Sequence, residues 1–263
     1  EQIGGEHCDV TTLVPAGQSI HTFEPTPKQI SALRSADVVF TIGLPLEDRF
    51  LAALPKNADK PRIVSLREGI ALRDLDDHDH EHHDHGHDHG DKDPHFWLSP
   101  DNAIVMSGRI VESLNAISEG SHEDFAANAK RLEEELHKLA DFCKAELSPF
   151  TGRQVLVFHP SYGYFFDPYE IKQIPVEIAG REPTPREISD MLEAARAANA
   201  KAILVQPQQF GRSAKLIAAR LNIDTITFDP LAPDYIENIR MVVPKIARAL
   251  SGDAPVQPSE GGE

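Results

Sequence analysis

The sequence contains few cysteines and no long apolar run. Cys8 and Cys143 are the only cysteines among 263 residues, so at most one disulfide can form. Two cysteines do not indicate the cellular compartment of the protein. No stretch approaches the roughly 18 apolar residues of a membrane-spanning helix, so we expect no direct membrane insertion by this chain. The sequence starts at Glu1 without a signal-peptide pattern, and we expect that an N-terminal segment has been removed or left out.

Positive charge is also scarce. The 26 Lys and Arg face 42 Asp and Glu, for a formal net charge of -16. This balance argues against nucleic acid or an anionic membrane surface as a partner, because both would repel the chain. Half of the charge lies in residues 74–93, where nine carboxylates accompany one Lys for a net of -8. The rest of the chain therefore has the ordinary charge of a soluble protein.

Short apolar segments alternate with amphipathic ones along the chain, which favours an α/β fold with mostly parallel sheets. Strands are predicted at residues 9–14, 37–42, 62–64, 154–158, 171–176, 202–205 and 224–228. Helices are predicted at residues 26–35, 46–54, 99–117, 121–147, 185–197, 213–221 and 234–250.

Residues 121–147 contain no Gly or Pro, and a helix of this length would span about 40 Å. One interpretation is an ordinary long surface helix within a single domain, and the other is a helix that joins two domains. Because the βα alternation restarts after it, and because Glu-Pro-Thr-Pro occurs at 24–27 and again at 182–185, we favour two similar lobes. The predicted organisation is an N-terminal lobe (1–118), a linker helix (119–148), a C-terminal lobe (149–250) and a disordered tail (251–263).

Three histidines stand beside prolines at loop positions, and one aspartate follows a predicted strand. They are His21 in SIHTFEPTP, His95 in DPHFWLSP, His159 in VFHPSYGYF and Asp229 in FDPL. Ligands bind beyond the carboxyl ends of the strands in open α/β sheets, where His159 and Asp229 would lie. Three imidazoles and one carboxylate suit Zn²⁺, although a single histidine is more often structural. His7, His122 and His137 are expected at the surface.

Four separated segments resemble the solute-binding proteins of zinc and manganese ABC importers (cluster A-I, family 9). They are LVPAGQSIHTFEPTPKQISALRSADVVFTIGLPLE, DPHFWLSPDNA, HPSYGYF followed by REPTPREI, and FDPL, and the resemblance extends from Ile3 to Leu250. It implies two α/β lobes joined by one long helix, with the metal in the interlobe cleft. It also implies that the first lobe lacks its first strand here, and that the second-lobe disulfide of many zinc members is absent.

The resemblance implies His21 and His95 as ligands from the first lobe, and His159 and Asp229 as ligands from the second. Manganese-type members usually have Glu at the position of His159, so the third imidazole favours Zn²⁺, as does the softness of nitrogen ligands. In some zinc members the fourth ligand is water or another carboxylate, so the resemblance leaves open whether Asp229 is the fourth ligand here. The implied function is high-affinity zinc capture outside the cytoplasm, in the periplasm or on a lipid anchor, and delivery by a monomer to an ABC permease. A manganese-binding homologue is the alternative.

The run DDHDHEHHDHGHDHGDKD, residues 76–93, resembles a loop that zinc members often insert before the DPH motif. Its histidines are predicted as weak, interchangeable zinc ligands: His78, His80, His82, His83, His85, His87 and His89. A solvated charge run without a specific role is the alternative.

The competing functional class is a zinc enzyme, for instance a hydrolase. Such an enzyme needs an open metal position and a nearby general base. The sequence contains no H-E-x-x-H motif, so we expect a carrier and not an enzyme.

Other residues are expected to support the candidate ligands. Phe96 and Trp97 are expected to pack beside His95, and a residue of the segment Gln206 to Gln208 is expected to hydrogen-bond a ligand. An aromatic wall is expected near His159, formed by Tyr162, Tyr164, Phe165 and Phe166.

Overall fold

A computed structural model describes residues 1–18, 20, 23–54, 61–75, 92–177, 183–209 and 212–252. The chain divides into two compact units, Glu1–Ala140 and Asp141–Glu263. The division falls inside the longest helix, and each unit is described by itself below.

The first unit contains two parallel strands, β1 (Val38–Thr41) and β2 (Arg62–Ser65), with Val38 opposite Arg62. Its helices are α1 (Pro27–Ser35), α2 (Pro45–Ala52), α3 (Pro100–Asn115) and most of α4 (His122–Leu147). Ile3, Leu114 and Phe125 form a buried cluster that packs the start of the chain against α3 and α4.

Helix α1 begins at a capping box. The Gln29 amide N–H donates to Thr26 Oγ1, and the Thr26 N–H donates to Gln29 Oε1, which satisfies two backbone groups that a helix start leaves open. Gln29 Nε2 also donates to the Leu13 carbonyl at 2.6 Å. The strand predicted at residues 9–14 is wrong, since these residues form no strand and Val10 is exposed. The Leu13 carbonyl accepts its hydrogen bond from the capping side chain of Gln29 and not from a neighbouring strand.

Helix α4 follows the apolar spacing read from the sequence. Phe125 and Leu136 lie eleven residues apart and Leu136 and Leu139 lie three apart, spacings that place all three on one face of the helix, and all three are buried. The predicted helix at 121–147 is therefore confirmed, with His122 as its first residue. Cys143 and Leu147 near its end are buried within the second unit.

The second unit is built on a four-stranded parallel sheet in the order β4-β3-β5-β6. Its elements are β3 (Gln154–Val157), α5 (Gly163–Phe166), β4 (Lys172–Pro175), α6 (Pro185–Ala197), β5 (Ala202–Val205), α7 (Arg212–Leu221), β6 (Asp224–Thr227) and α8 (Tyr235–Ser251). All four residues of the central strand β5 are buried, as expected for a parallel sheet covered on both faces. Because the strands are parallel, their carboxyl ends lie along one edge of the sheet.

Helix α6 begins in the same way as α1, with Thr184 at the cap and Glu187 in the position of Gln29. The repeated Thr-Pro segments therefore have the same local role in both units.

The predicted parallel α/β architecture with one long helix is confirmed. Apart from residues 9–14, the unpredicted four-residue α5 and the short 3₁₀ turns, the observed α-helices and strands begin and end within two residues of the predicted positions. In the part of the chain that the structure describes, no helix is both long enough and apolar enough to cross a membrane.

Candidate metal-binding residues

His95 lies just before a short 3₁₀ turn, Phe96–Leu98, and its side chain is held by Asp93. The imidazole Nδ1 is 2.8 Å from Asp93 Oδ1, and the His95 backbone N–H donates to the same oxygen at 2.9 Å. His95 is 3% exposed, and its ring lies 5.3 Å from that of Trp97. The predicted packing of Trp97 beside His95 is confirmed.

Asp93 has a second strong partner. Arg73 Nη1 donates to Asp93 Oδ2 at 2.9 Å, and the Asp93 backbone N–H donates to the Arg73 carbonyl at 3.1 Å. Burial alone would raise the pKa of Asp93, but the hydrogen bonds and electrostatic interaction with His95, with the hydrogen bond from Arg73, lower this pKa below its ordinary value. The carboxyl is therefore ionised at neutral pH.

The Asp93 contact determines which nitrogen of His95 can bind a metal. An ionised carboxylate only accepts hydrogen bonds, so Nδ1 carries the hydrogen. In a neutral imidazole the lone pair then belongs to Nε2. A metal-binding histidine typically donates its other ring N–H to a carboxylate in this way, which orients the ring and raises its basicity.

His159 has the same arrangement in the second unit, two residues after the end of β3. Its Nδ1 is 2.8 Å from Glu177 Oε2. Glu177 is buried and follows β4, the strand beside β3. The Glu177 backbone N–H donates to the Phe158 carbonyl at 2.8 Å, so the pairing of the two strands continues to the carboxylate. His159 and Glu177 are thus brought together by the sheet.

Asp229 follows β6 at the same edge of the sheet. Its Oδ1 accepts hydrogen bonds from Gln208 Nε2 at 2.7 Å and from the Leu231 backbone N–H at 2.9 Å. Asn238 Nδ2 donates to the Asp229 backbone carbonyl at 2.7 Å. The expectation that the Gln206 to Gln208 segment hydrogen-bonds a candidate ligand is confirmed by Gln208, and the carboxylate is fixed in direction.

Buried polar side chains connect the strand ends of this unit. Gln206 Nε2 donates to Ser161 Oγ at 2.6 Å, and the Ser161 N–H donates to the His159 carbonyl at 2.8 Å. The Tyr162 hydroxyl donates to the Phe228 carbonyl at 2.7 Å, and its ring stacks on Phe228 with centroids 4.8 Å apart. Burial raises the pKa of Tyr162, so this hydroxyl is protonated and acts as a donor at neutral pH.

The aromatic wall predicted after His159 is present. Tyr162, Tyr164, Phe165 and Phe166 are buried, and Phe165 contacts Phe228 edge to face. These rings form part of the core that supports the residues after β3 and β6.

His21 and the seven histidines from His78 to His89 lie outside the described residues. Within the described part of the chain, no three or more His, Cys, Asp or Glu side chains come together to hold a metal ion. The four-ligand set of His21, His95, His159 and Asp229 therefore stays a prediction. His7, His122 and His137 are exposed, as expected.

Sequence reasoning missed the carboxylates behind the two histidines. Asp93 is the last residue of the acidic, His-rich run, yet its side chain is fully buried and holds His95. Its position two residues before His95 was the available signal. Glu177 lies 18 residues from His159, and nothing local in the sequence connects the two.

Comparisons with known proteins identify the family of this chain. A family model described as zinc-uptake complex component A, periplasmic (ZnuA), matches residues 1–249. The chain belongs to the ZnuA family. It is similar to a crystal structure of a ZnuA deletion mutant (138-173) with zinc bound, at 31% identity and a TM-score of 0.83, covering 98% of this chain and 94% of that one.

Two further relatives are named for other metals. The manganese ABC transporter substrate-binding lipoprotein PsaA of Streptococcus pneumoniae serotype 4 is 25% identical over 85% of this chain and 73% of its own length. The iron ABC transporter substrate-binding lipoprotein MtsA of Streptococcus pyogenes serotype M1 is 27% identical over 89% and 74%.

This ZnuA-family chain is a metal-binding, extracytoplasmic component of an ABC metal importer. The family consists of substrate-binding proteins, so the expectation that the chain is not an enzyme is confirmed. The relatives differ in the metal for which they are named, and family membership alone does not fix the ion.

Proposed function

We propose that this protein captures Zn²⁺ with high affinity outside the cytoplasm and, as a monomer, delivers it to the permease subunit of an ABC importer. The ion is the transported substrate, so the protein must hold it without reserving a coordination position for chemistry.

The observation that carries the proposal is the matched arrangement of His95 and His159. Each imidazole has its Nδ1 at 2.8 Å from a buried carboxylate, Asp93 or Glu177. This contact places the lone pair on Nε2 and fixes the direction in which it points. Two histidines prepared in this way support a nitrogen-rich metal site.

We propose His21, His95, His159 and Asp229 as the ligands. Three imidazoles and one carboxylate form a set that suits Zn²⁺, whereas Mn²⁺ prefers carboxylate, carbonyl and water oxygens. The zinc-bound structure of a ZnuA relative supports the same ion. The name of PsaA supports manganese as the second candidate, and the third imidazole, His159, argues against it.

Competition between Zn²⁺ and Mn²⁺ tests this choice. The wild-type protein should bind one Zn²⁺ tightly and prefer it to Mn²⁺, and His159→Glu should narrow that preference by at least about tenfold because an oxygen ligand replaces a nitrogen. His137→Glu, at an exposed position on α4, is the control. A wild-type protein that prefers Mn²⁺, or a His159→Glu variant with unchanged selectivity, would contradict the proposal.

We further propose that the His-rich segment binds additional Zn²⁺ weakly through His78, His80, His82, His83, His85, His87 and His89. Neutral imidazoles and carboxylates can coordinate zinc in many arrangements. Deleting residues 78–89 should remove the weak phase of a zinc titration and leave the tight phase in place. An unchanged stoichiometry would show that the segment has no binding role.

A further inference from the structure

Two ion pairs close the base of the acidic, His-rich segment. Arg73 pairs with Asp93, and the next residues inward, Asp74 and Lys92, pair with each other across an isolated antiparallel bridge. The two pairs differ in environment: the Arg73 and Asp93 side chains are 19% and 0% exposed, whereas those of Lys92 and Asp74 are 40% and 80% exposed.

The buried pair, Arg73–Asp93, and the exposed pair, Lys92–Asp74, also differ in what their carboxylates contact. Asp93 divides its two oxygens, with Oδ2 accepting from Arg73 Nη1 and Oδ1 accepting from the His95 backbone and facing its Nδ1. Asp74 forms the bridge to Lys92 and lies 21 positions before His95. One carboxylate is thus shared between the base of the segment and a proposed metal ligand.

This sharing constrains the direction of His95. A carboxylate is planar, so fixing Oδ2 leaves Oδ1 little freedom to turn. Arg73 holds Asp93 at two points, through its guanidinium and through its backbone carbonyl, which accepts the Asp93 N–H at 3.1 Å. A guanidinium is charged at every relevant pH and presents its donors in a rigid plane, which makes it suited to orienting a carboxylate.

We propose that Arg73 is a positioning residue of the metal site, acting through Asp93 on His95. This inference rests on the proposed function, because it takes His95 as a zinc ligand. Arg73 fixes Asp93, Asp93 fixes the imidazole, and the buried Arg73–Asp93 pair is thereby part of what holds the tight site in shape.

The test measures zinc affinity by chelator competition on the full chain. Arg73→Gln should weaken binding by about tenfold, the lower end of what losing a partner behind a metal ligand costs. Arg73→Lys, which keeps the charge but not the planar fork, should fall between Arg73→Gln and wild type. Lys92→Gln removes the neighbouring exposed pair and should change affinity by less than about twofold.

A cycle with His95→Ala separates positioning from general structural damage. If Arg73 acts through His95, Arg73→Gln should cause no further loss of affinity in the His95→Ala background. An equal loss in both backgrounds, or wild-type affinity in Arg73→Gln, would overturn the inference. If circular dichroism shows Arg73→Gln unfolded, Arg73→Lys decides, and wild-type affinity there would overturn it.

The same measurements separate this inference from the function on which it rests. A wild-type protein that does not bind Zn²⁺, or a His95→Ala variant that binds as wild type, would contradict the proposed ligands and with them the role of Arg73. Loss of affinity in His95→Ala but not in the Arg73 variants would overturn the positioning role alone.

Discussion

The two described histidines of the candidate site have the same chemistry and different origins. His95 and His159 each have Nδ1 at 2.8 Å from a buried carboxylate. Asp93 comes from the same loop, two residues before its histidine, whereas Glu177 comes from the end of a neighbouring strand, 18 residues after its histidine. One arrangement is built by a local turn and the other by sheet pairing.

The difference shows what each arrangement depends on. Asp93 accepts hydrogen bonds from Arg73 and from the His95 backbone as well as facing the imidazole, so its position depends on the loop and its ion pair. Glu177 is positioned by the parallel register of β3 and β4, which aligns Val157 with Pro175. The Asp93–His95 contact therefore depends on further side-chain contacts within its loop. The Glu177–His159 contact depends on the pairing of two strands.

Neutralising the two carboxylates tests whether they are equivalent for the metal. Asp93→Asn and Glu177→Gln should each weaken zinc binding by about 10–100-fold, because the imidazole loses its charged acceptor. Asp93→Asn should also lower the free energy of unfolding more, on the order of 1–3 kcal/mol, because Arg73 loses its charged partner. Zinc affinity and urea unfolding measure the two effects.

Asp74→Asn is the matched control for this comparison, since Asp74 is an exposed carboxylate at the base of the same segment. If it weakens zinc binding as much as Asp93→Asn does, the effect reflects general charge and not the orientation of His95. Wild-type affinity in Glu177→Gln would show that the sheet-built arrangement does not act on the metal.

Two buried tyrosines of the second unit differ in what their hydroxyls contact, and the Tyr162 hydroxyl contacts the residue next to Asp229. Tyr162 donates to the carbonyl of Phe228, the residue before Asp229, so Tyr162→Phe should weaken zinc binding by about threefold through loss of one hydrogen bond. Tyr169 instead hydrogen-bonds the thiol of Cys143, whose pKa burial raises to about 12. Tyr169→Phe should lower stability by about 1 kcal/mol without changing zinc affinity. Equal affinity losses in both variants would refute a specific role for Tyr162.

Much of the fold could be predicted because its signals are local. Thr26 and Thr184 start helices through capping boxes whose residues lie three positions apart, and the buried residues of α4 follow helical spacing. The strand predicted at 9–14 failed because an apolar run becomes a strand only where a partner strand accepts its hydrogen bonds.

Some residues of the candidate site also have local sequence signals, and others do not. The residues around His95 and His159 make them candidate ligands, and the position of Asp93, two residues before His95, is an equally local signal. Glu177 and the Tyr162 contact to Phe228 depend on the strand order β4-β3-β5-β6, which joins residues 18 and 66 positions apart. No local pattern contains that information.

We propose that imidazoles oriented by buried carboxylates bind the transported zinc. X-ray absorption at the zinc edge of the one-to-one complex measures those ligands directly. We expect a four-coordinate shell of nitrogen and oxygen at about 2.0–2.1 Å with three imidazoles, and one imidazole fewer in His159→Ala. A sulfur ligand, or an imidazole count that His159→Ala leaves unchanged, would contradict the proposed ligand set.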